Sequence, residues 1–518
     1  MDAGVEKQPF SADFVHELMA RNAEQAQQIQ ALQNQLAWFK KQLFGAKSEK
    51  RLVDNPAQMD IGALLGEAPK REDTPTEKIT YERRKHTKQR GEDNVNDTGL
   101  RFDSDVPVEV IEIPHPALSG ADAEDYEPLD TEISYKLAQR PGSYVVLEYR
   151  RAVLKHTPSQ ALSSPPMPAP VLDKCLADVS LLAGMLVDKF VYHLPLYRQH
   201  QRLAQSGIQV SRTSLTTWTQ RAIGLLEPIH DAQLGNILRS RVLAMDETPI
   251  KAGRQHKGKM HQGWLWPIYG EADEICFTYS ASRGKQHIET QLAGFGGVLL
   301  TDGYAAYDSF ARNKPGITQA QCWAHTRRYF VKAEAIEPVA TAQALEYIGA
   351  LYRVEEEIRE QALSGEKKLE LRARKSKPLA DAFFGWCHEQ RQRIDLVNSN
   401  PLAKALAYVA NHREQLSVFL ADPDVPIDTN HVERNLRGIP LGRKNWMFSW
   451  SEVGAEQVGI IQSLLTTCRL HGVNPHTYLV DVLQRVALHP AREVEALTPR
   501  IWKERFADNP MRSPLDTV

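Results

Sequence analysis

Two short apolar segments that each end at an aspartate constrain the fold of this chain more than any other feature. The segment Val242-Leu243-Ala244-Met245 leads into Asp246, and the segment Val298-Leu299-Leu300-Thr301 leads into Asp302. Unbroken apolar runs of this length are typical of strands that are buried on both faces of a sheet. If the two strands are parallel neighbours, their carboxyl ends meet at one edge and bring both carboxylates together there.

Strand and helix signals alternate around these two segments. The pattern predicts further strands at 263–269, 275–280 and 318–322, a helix near 285–293, and another helix after residue 322. The expected order is β-β-β-α-β-α-β-α. One aspartate then ends the first strand and the other ends the fourth.

A third acidic residue, Glu433, lies in the segment Asn430-His431-Val432-Glu433-Arg434-Asn435-Leu436-Arg437. Asn430, Glu433 and Arg437 share one face of a predicted helix. Three carboxylates offer hard oxygen ligands to magnesium, and pairs of such ions assist in-line phosphoryl transfer. Each acid also has a structural interpretation, as a strand-end cap, a turn with Gly303, or a helix capping box. The catalytic interpretation therefore depends on the set of three acids.

The N-terminal part, residues 10–45, carries the heptad pattern of a coiled coil. Its a and d positions are Leu18, Asn22, Gln25, Ile29, Leu32, Leu36, Phe39 and Leu43. A helix docked on its own chain is the alternative. We favour the self-associating coil, which predicts a homo-oligomer.

A polar segment and two small units follow the predicted coil. Residues 46–98 are predicted to be a basic, flexible linker that is either solvated or laid along DNA phosphates. Residues 99–157 contain strand-like segments at 108–113 and 144–149, and they predict a small β-rich unit.

Residues 171–235 are predicted to be helical and to contain a helix–turn–helix. One helix spans 196–204, a turn lies at Ser206-Gly207, and Ser211 caps a second helix. In DNA-binding proteins with this pattern the second helix enters the major groove. An ordinary helical hairpin is the alternative. On the DNA-binding interpretation, Arg212 and Gln220 contact base edges or phosphates.

Basic and aromatic residues near the acidic motifs are further candidates for binding DNA. The segment 443–450 interleaves charge with aromatic rings, which suits phosphates and unpaired bases. A surface loop with its aromatic rings turned inward is the alternative. The candidates are Arg327, Arg328, Arg434, Arg437, Arg443, Lys444 and Trp446.

Composition limits the environment of the protein. The formal net charge is only −2, so a DNA-binding surface must come from local basic clusters. Five scattered cysteines without a CxxC motif fit a reducing cytosol. Because we find neither a signal peptide nor a membrane-spanning run, we expect a soluble cytoplasmic protein without a membrane partner. Cys322 and His325 alone do not make a four-ligand zinc site, so we favour a scaffold role for them.

Several motifs, taken in order, resemble those of the large transposase of bacterial insertion sequences of family sixty-six. They are Leu43-Phe44-Gly45-Ala46-Lys47-Ser48-Glu49-Lys50, Met245-Asp246-Glu247-Thr248, Thr301-Asp302-Gly303-Tyr304, Cys322-Trp323-Ala324-His325-Thr326-Arg327-Arg328, Asn430-His431-Val432-Glu433-Arg434 and Gly442-Arg443-Lys444-Asn445-Trp446. The resemblance covers most of the chain, and the ordered set is far more specific than any single motif. It implies a multidomain protein with an α/β catalytic core of ribonuclease-H-like fold at 238–332 and 425–487. A helical insertion at 333–424 interrupts this core, and a tail at 488–518 follows it.

The resemblance also implies an activity. Asp246, Asp302 and Glu433 would bind magnesium, with manganese as an alternative. The protein would bind the inverted-repeat ends of an insertion sequence, cleave them, and transfer the 3′-hydroxyl ends to target DNA at the bacterial nucleoid. Small accessory proteins encoded by the same element are further implied partners. Members of this family commonly carry a cysteine-rich zinc ribbon, but residues 52–174 contain no cysteine, so we expect no structural zinc.

Two other functions are compatible with the same residues. One is a transposase-derived DNA-binding regulator without catalysis, and the presence of all three carboxylates argues against it. The other is a nuclease that cuts DNA without joining it, which joined products would exclude. A purely structural coiled-coil protein leaves the three acids and the length of 518 residues unexplained.

Overall fold

The computed structural model describes Arg21 and most of the chain from residue 94 to residue 516. Outside the described part lie 1–20, 22–93, 96–99, 103, 105, 120–122, 141, 257–258, 447–448, 450 and 517–518. The predicted coiled coil at 10–45 and the basic linker at 46–98 fall almost entirely outside it, and both remain predictions.

The described chain is an α/β structure with mixed sheets and many helices. Its strands are β1 (Asn94–Val95), β2 (Arg101–Phe102), β3 (Val108–Ile113), β4 (Tyr126–Arg140), β5 (Ser143–His156), β6 (Leu162–Ser163), β7 (Ile208–Gln209), β8 (Val242–Met245), β9 (Thr248–His256), β10 (Lys259–Tyr269), β11 (Ile275–Ser280), β12 (Gly297–Thr301) and β13 (Ile317–Gln321). Its α-helices are α1 (Val179–Phe190), α2 (Leu196–Gln205), α3 (Arg212–Ile237), α4 (Lys285–Gln291), α5 (Ala305–Asn313), α6 (Trp323–Val331), α7 (Pro338–Glu360), α8 (Gly365–Leu371), α9 (Lys377–Arg391), α10 (Pro401–Asn411), α11 (Arg413–Ala421), α12 (Asn430–Leu436), α13 (Gly438–Trp446), α14 (Glu452–Leu470), α15 (Pro475–Arg485) and α16 (Pro499–Arg505). Within the described part, no helix is both long enough and apolar enough to cross a bilayer.

The central sheet brings the two aspartate-ending strands together. Its strand order is β11-β10-β8-β12-β13, and β9 pairs with the outer part of β10. Strand β12 runs parallel to β8, with Leu300 opposite Ala244, and also parallel to β13. Continuing this register by two residues sets Asp302 opposite Asp246. The expectation that the two strands are parallel neighbours is therefore confirmed.

Helices cover both faces of β8 and β12, which explains their unbroken apolar sequences. Side chains alternate along a strand, so Val242 and Ala244 enter one core while Leu243 and Met245 enter the other. The first core is completed by the helices α6, α7 and α9 to α12, and the second by α4 and α5. The predicted helical character of 333–424 is confirmed, and this region covers one face of the sheet.

One strand of this region was missing from the sequence prediction. Strand β9 follows Asp246 directly, so that in chain order Asp302 ends the fifth strand of the region and not the fourth. Its buried residues Thr248, Ile250 and Ala252 do alternate. Pro249 and Gly253 interrupt the pattern, and in a sequence both residues indicate turns.

The small β-rich unit consists of a hairpin with flanking strands. The strand order is β3-β5-β4, with β6 beside β5, and both predicted segments lie in β3 and β5. The long strand β4 was not predicted. Its first half, up to Ile133, is largely exposed, so it lacks the apolar alternation that identifies a half-buried strand.

The helix–turn–helix segment has the predicted helices. Helix α2 ends at Gln205, and the Ser211 hydroxyl accepts a hydrogen bond from the Ser214 amide at the start of α3. The predicted N-cap is therefore confirmed, and Leu215 and Trp218 are buried as expected. Helix α3 continues well beyond the segment. Near its end the Gln233 amide donates to the Thr467 hydroxyl of α14 at 3.0 Å.

Candidate active site

Three carboxylates meet where strands β8 and β12 end. Asp246, Glu247 and Asp302 each have a carboxylate oxygen within 4.8 Å of one belonging to the other two. All three residues are intermediate between buried and exposed. Two of these acids were predicted to lie together. Glu247 directly follows Asp246 in the motif Met245-Asp246-Glu247-Thr248 and was not among the three predicted catalytic acids.

Crowding and burial hold the Asp246 carboxyl in its neutral form. Burial, followed by the charge of Asp302, raises the pKa of Asp246 to about 8. The carboxylates of Glu247 and Glu433 raise this pKa further. A hydrogen bond of 2.8 Å from the Glu247 amide to Asp246 Oδ1 acts in the opposite direction. Close carboxylates without a counter-ion are expected to show such a raised pKa.

Asp302 lies in a tightly held turn. The Tyr304 amide donates to Asp302 Oδ1 at 2.9 Å, and the Tyr408 hydroxyl of α10 donates to the Asp302 carbonyl at 2.8 Å. Gly303 adopts a φ of +83°, and a Cβ there would lie 2.1 Å from the Gln321 amide nitrogen. The turn interpretation of Asp302-Gly303 is therefore correct, and it coexists with a carboxylate that faces Asp246.

Glu247 is held by other protein groups. Its side chain is 2% exposed. One oxygen accepts a hydrogen bond from Arg283 Nε at 2.9 Å, and the other accepts one from the Tyr307 hydroxyl at 2.9 Å. Burial, followed by the charge of Asp302, raises the pKa of Glu247. Because both oxygens already have protein donors, we assign Glu247 to the support of the aspartate pair.

Glu433, on helix α12, lies near this group of carboxylates. The capping box considered for it is absent, because Thr429 is the N-cap and the Asn430 amide donates to Asp428 instead. The Glu433 carboxylate accepts a hydrogen bond from Arg328 and lies 3.7 Å from His325 Nε2. Its side chain therefore points away from its own helix terminus and toward α6.

The third acid stands apart from the other carboxylates. Among the described residues, the 4.8 Å group contains Asp246, Glu247 and Asp302, and it does not contain Glu433. Glu433 is nevertheless near enough for its charge to raise the pKa of Asp246. One oxygen of the Glu433 carboxylate accepts a hydrogen bond from the guanidinium of Arg328. Asp246 and Asp302 thus lie together and Glu433 lies near them, with its carboxylate held by an arginine.

The thiol of Cys322 links the start of helix α6, which carries Arg328, to the residues before helix α12, which carries Glu433. The buried Cys322 sulfur accepts hydrogen bonds from the Thr429 amide and hydroxyl, both at 3.3 Å. Burial raises the pKa of this thiol to about 11. The neighbouring Trp323 amide donates to the Ile427 carbonyl at 3.1 Å. These contacts tie the start of α6 to the residues before α12, in agreement with the scaffold interpretation.

His325 holds the arginine that contacts Glu433. Its Nε2 lies 2.8 Å from Arg328 Nη1. Burial, followed by the positive charge of Arg328, lowers the pKa of His325. A neutral imidazole can accept a hydrogen bond from the guanidinium through Nε2. Arg328 is therefore held between an imidazole and a carboxylate.

The predicted DNA-binding residues fall into two groups. Arg328, Arg443 and Trp446 have partners within the protein. The guanidinium of Arg443 donates to the Pro249 carbonyl, burial lowers its pKa, and the Trp446 ring packs over Gly442. The Trp446 ring is turned inward as the alternative expected, but residues 443–446 lie in helix α13 and not in a surface loop. The remaining candidates are exposed, namely Arg212, Gln220, Arg327, Arg434, Arg437 and Lys444.

The acidic group fits a hard divalent cation. Its donors are all carboxylate oxygens, which is the ligand set that magnesium and manganese prefer. Burial and the charge of Asp302 raise the pKa of Asp246, and a bound cation would favour its ionised form. We therefore regard Asp246 and Asp302 as the candidate metal ligands, with Glu433 as the third.

Comparison with known proteins identifies the class and then the family. Residues 174–457 match the family described as "Transposase IS66 family", and residues 463–500 match the "IS66 C-terminal element". Residues 31–111 match a family described as "Transposase C of IS166 homeodomain", which overlaps the predicted coil and linker. The chain is therefore a transposase by class, and it belongs to the IS66 transposase family.

Relatives from one bacterium cover most of the chain. "Uncharacterized protein y4hP" of Sinorhizobium fredii (strain NBRC 101917 / NGR234) is 31% identical over 404 residues, which is 73% of this chain and 72% of the relative. "Uncharacterized protein y4jD" of the same strain is 34% identical over 357 residues, which is 65% of this chain and 68% of the relative. Both relatives are thus similar over most of this chain.

Proposed function

We propose that this chain is an Asp-Asp-Glu transposase that cleaves the ends of an insertion sequence and joins the 3′-hydroxyl ends to target DNA. The observation that supports this most strongly is the meeting of Asp246 and Asp302 at adjacent carboxyl ends of parallel strands, with Glu433 facing them from α12. Membership of the IS66 transposase family supplies the class of reaction.

We further propose that the catalytic core is ribonuclease-H-like. In support of this, β11, β10 and β8 form an antiparallel half of the sheet, while β8, β12 and β13 form a parallel half. The two aspartates follow β8 and β12, the central strands. The core then comprises 238–332 and 425–487, with the insertion 333–424 between them and the tail 488–518 after them.

Asp246 and Asp302 would hold the divalent cation, joined by Glu433 once that carboxylate leaves Arg328. When bound, the cation supplies positive charge to the reacting phosphate and acidity to the attacking hydroxyl. The surrounding residues keep this centre in position. Arg283 and Tyr307 fix Glu247, and Tyr408 fixes the backbone of Asp302, so that Glu247 and Asp302 need little reorganisation.

DNA recognition is assigned to other parts of the chain. We propose that the helical region 171–235 reads the element ends through Arg212 and Gln220, which are exposed near the start of α3. The exposed residues Arg327, Arg434 and Lys444 would hold phosphates close to the acids. The β-rich unit at 99–157 has no assigned role.

The decisive experiment incubates labelled element-end DNA with the protein and Mg²⁺, and scores both cut and joined products. We expect Asp246→Asn, Asp302→Asn and Glu433→Gln each to lower both products by at least about a thousand-fold while end binding persists. Asp308→Asn is the matched control, because this carboxylate is bound to His412 and Gln319 and does not belong to the group of Asp246, Glu247 and Asp302.

The outcomes separate the proposed function from its alternatives. A Glu433→Gln protein that cuts at the normal rate would remove Glu433 from the catalytic set. Cut DNA without joined products would make the protein a nuclease. Specific end binding without any cleavage would make it a regulator.

A further inference from the structure

Arg328 occupies a position in which it substitutes for a cation at the acidic centre. Its guanidinium is divided between two partners, with Nη1 at 2.8 Å from His325 Nε2 and Nη2 bound to the Glu433 carboxylate. Asp246 is near enough to act electrostatically on this guanidinium. One arginine thus neutralises the third acid in the neighbourhood of the first.

This ion pair lies where solvent and DNA can reach it. The Arg328 side chain is 46% exposed and the Glu433 side chain is 27% exposed. Ion pairs of this accessibility are weak, so a competing partner of higher charge can displace them. A DNA phosphate is such a partner, because guanidinium groups bind phosphates through charge-assisted hydrogen bonds.

We propose that Arg328 is a positioning residue that holds Glu433 away from the metal centre until a DNA phosphate binds the Arg328 guanidinium in place of Glu433. In this scheme, which rests on the proposed function, the free protein has an incomplete ligand set of Asp246 and Asp302. Binding of DNA withdraws Arg328 and frees Glu433 to complete the set. Metal binding and DNA binding are therefore coupled through one side chain.

Arg327 provides a matched control on the same helix. It is the adjacent arginine, it is exposed, and it carries the same charge. If Arg328 affected the metal only as a nearby positive charge, Arg327→Gln and Arg328→Gln would act alike. If the contact with Glu433 matters, Arg328→Gln alone removes the restraint.

The test measures Mn²⁺ binding to the full chain by the loss of the free-ion electron paramagnetic resonance signal, without DNA. We expect Arg328→Gln to tighten Mn²⁺ binding about five-fold relative to the wild type, the factor for release of one half-exposed ion pair. Arg327→Gln should change the affinity less than about two-fold. In a Glu433→Gln background, Arg328→Gln should have no further effect. Circular dichroism and thermal unfolding verify that each variant is folded.

A second measurement adds a mixed-sequence DNA duplex of about 30 base pairs, with the duplex alone as the blank. The duplex should tighten Mn²⁺ binding to the wild type and not to Arg328→Gln. By linkage, Mn²⁺ should raise the affinity of the wild type for the duplex by the same factor. This readout does not depend on cleavage activity.

Each result bears on a different claim. Equal effects of the two arginine variants, or an effect of Arg328→Gln that persists without the Glu433 carboxylate, would overturn the inference while leaving the metal centre intact. Tight Mn²⁺ binding that is insensitive to DNA would do the same. Failure of every protein to bind Mn²⁺ would overturn the metal centre of the proposed function, and the inference with it.

Discussion

Replacing Asp246 by Asn should stabilise the metal-free protein at pH 8, even though it removes a candidate catalytic residue. The folded protein raises the pKa of Asp246 from its ordinary 3.8 to about 8. Between these two values the folded state retains a proton that the unfolded state releases, so the stability of the wild type falls as the pH rises. Asn is neutral at every pH and does not incur this loss.

The size of the effect follows from the same values. At about 1.4 kcal/mol for each pH unit, the wild type loses at most about 6 kcal/mol by pH 8, and about 2 kcal/mol by pH 5. The ionisation of Asp246 is coupled to the charges of its neighbours Asp302 and Glu433. We therefore expect about half of these upper limits on the stability loss. The Asn variant should therefore gain about 3 kcal/mol at pH 8 and about 1 kcal/mol at pH 5.

The assay is urea unfolding in a metal chelator at both pH values, followed by tryptophan fluorescence. Asp308→Asn is the control, because it should change the free energy of unfolding in the opposite direction. Burial tends to raise the pKa of Asp308, but hydrogen bonds from His412 and Gln319 outweigh it and lower that pKa. This variant should lose stability at pH 8. An Asp246→Asn gain that is absent, or equal at the two pH values, would refute the idea that this carboxyl is electrostatically strained.

Three further predictions concern other parts of the chain. Gly303→Ala should lower the free energy of unfolding by about 2–4 kcal/mol in urea, since its φ is positive and its Cβ would collide with Gln321; an unchanged midpoint would contradict this. Cys322→Ala should leave the zinc content of the purified protein unchanged in elemental analysis, whereas loss of a stoichiometric zinc signal would show a ligand role. Charged residues at Ile29 and Leu36 should dissociate the oligomer in sedimentation experiments, and an unchanged mass would exclude the coil.

The positions of the two aspartates were predictable because local sequence determines them. Val242 to Met245 and Val298 to Leu300 are apolar throughout, and this pattern leaves few alternatives to strands buried on both faces. The cap at Ser211 was predictable for a similar reason, since a hydroxyl at that point satisfies a nearby helix amide.

The arrangement around the third acid was beyond sequence reasoning. Glu433 lies 433 − 302 = 131 residues after Asp302, and its partner Arg328 lies on another helix. Glu247 gave no local signal either, because its donors are 36 and 60 residues away, in Arg283 and Tyr307. Such pairs depend on packing, and packing is not encoded in the spacing of neighbouring residues.

The burial of all five cysteines gives the protein a set of internal reporters. Each thiol is free and buried. Cys175 and Cys468 lie in the core around the helices α1, α3 and α14. Cys276, on strand β11, lies in the core that α4 and α5 complete, and Cys387 lies in the insertion. Cys322 lies beside the residue that caps α12.

A thiol reagent reaches a buried cysteine only when its surroundings open, so the rate of modification measures that opening. Mass spectrometry of each cysteine in turn would rank the regions by how readily they open. Modification of Cys322 that precedes that of Cys276 and Cys387 would show that the Glu433 helix separates from the sheet while the two flanking cores stay closed.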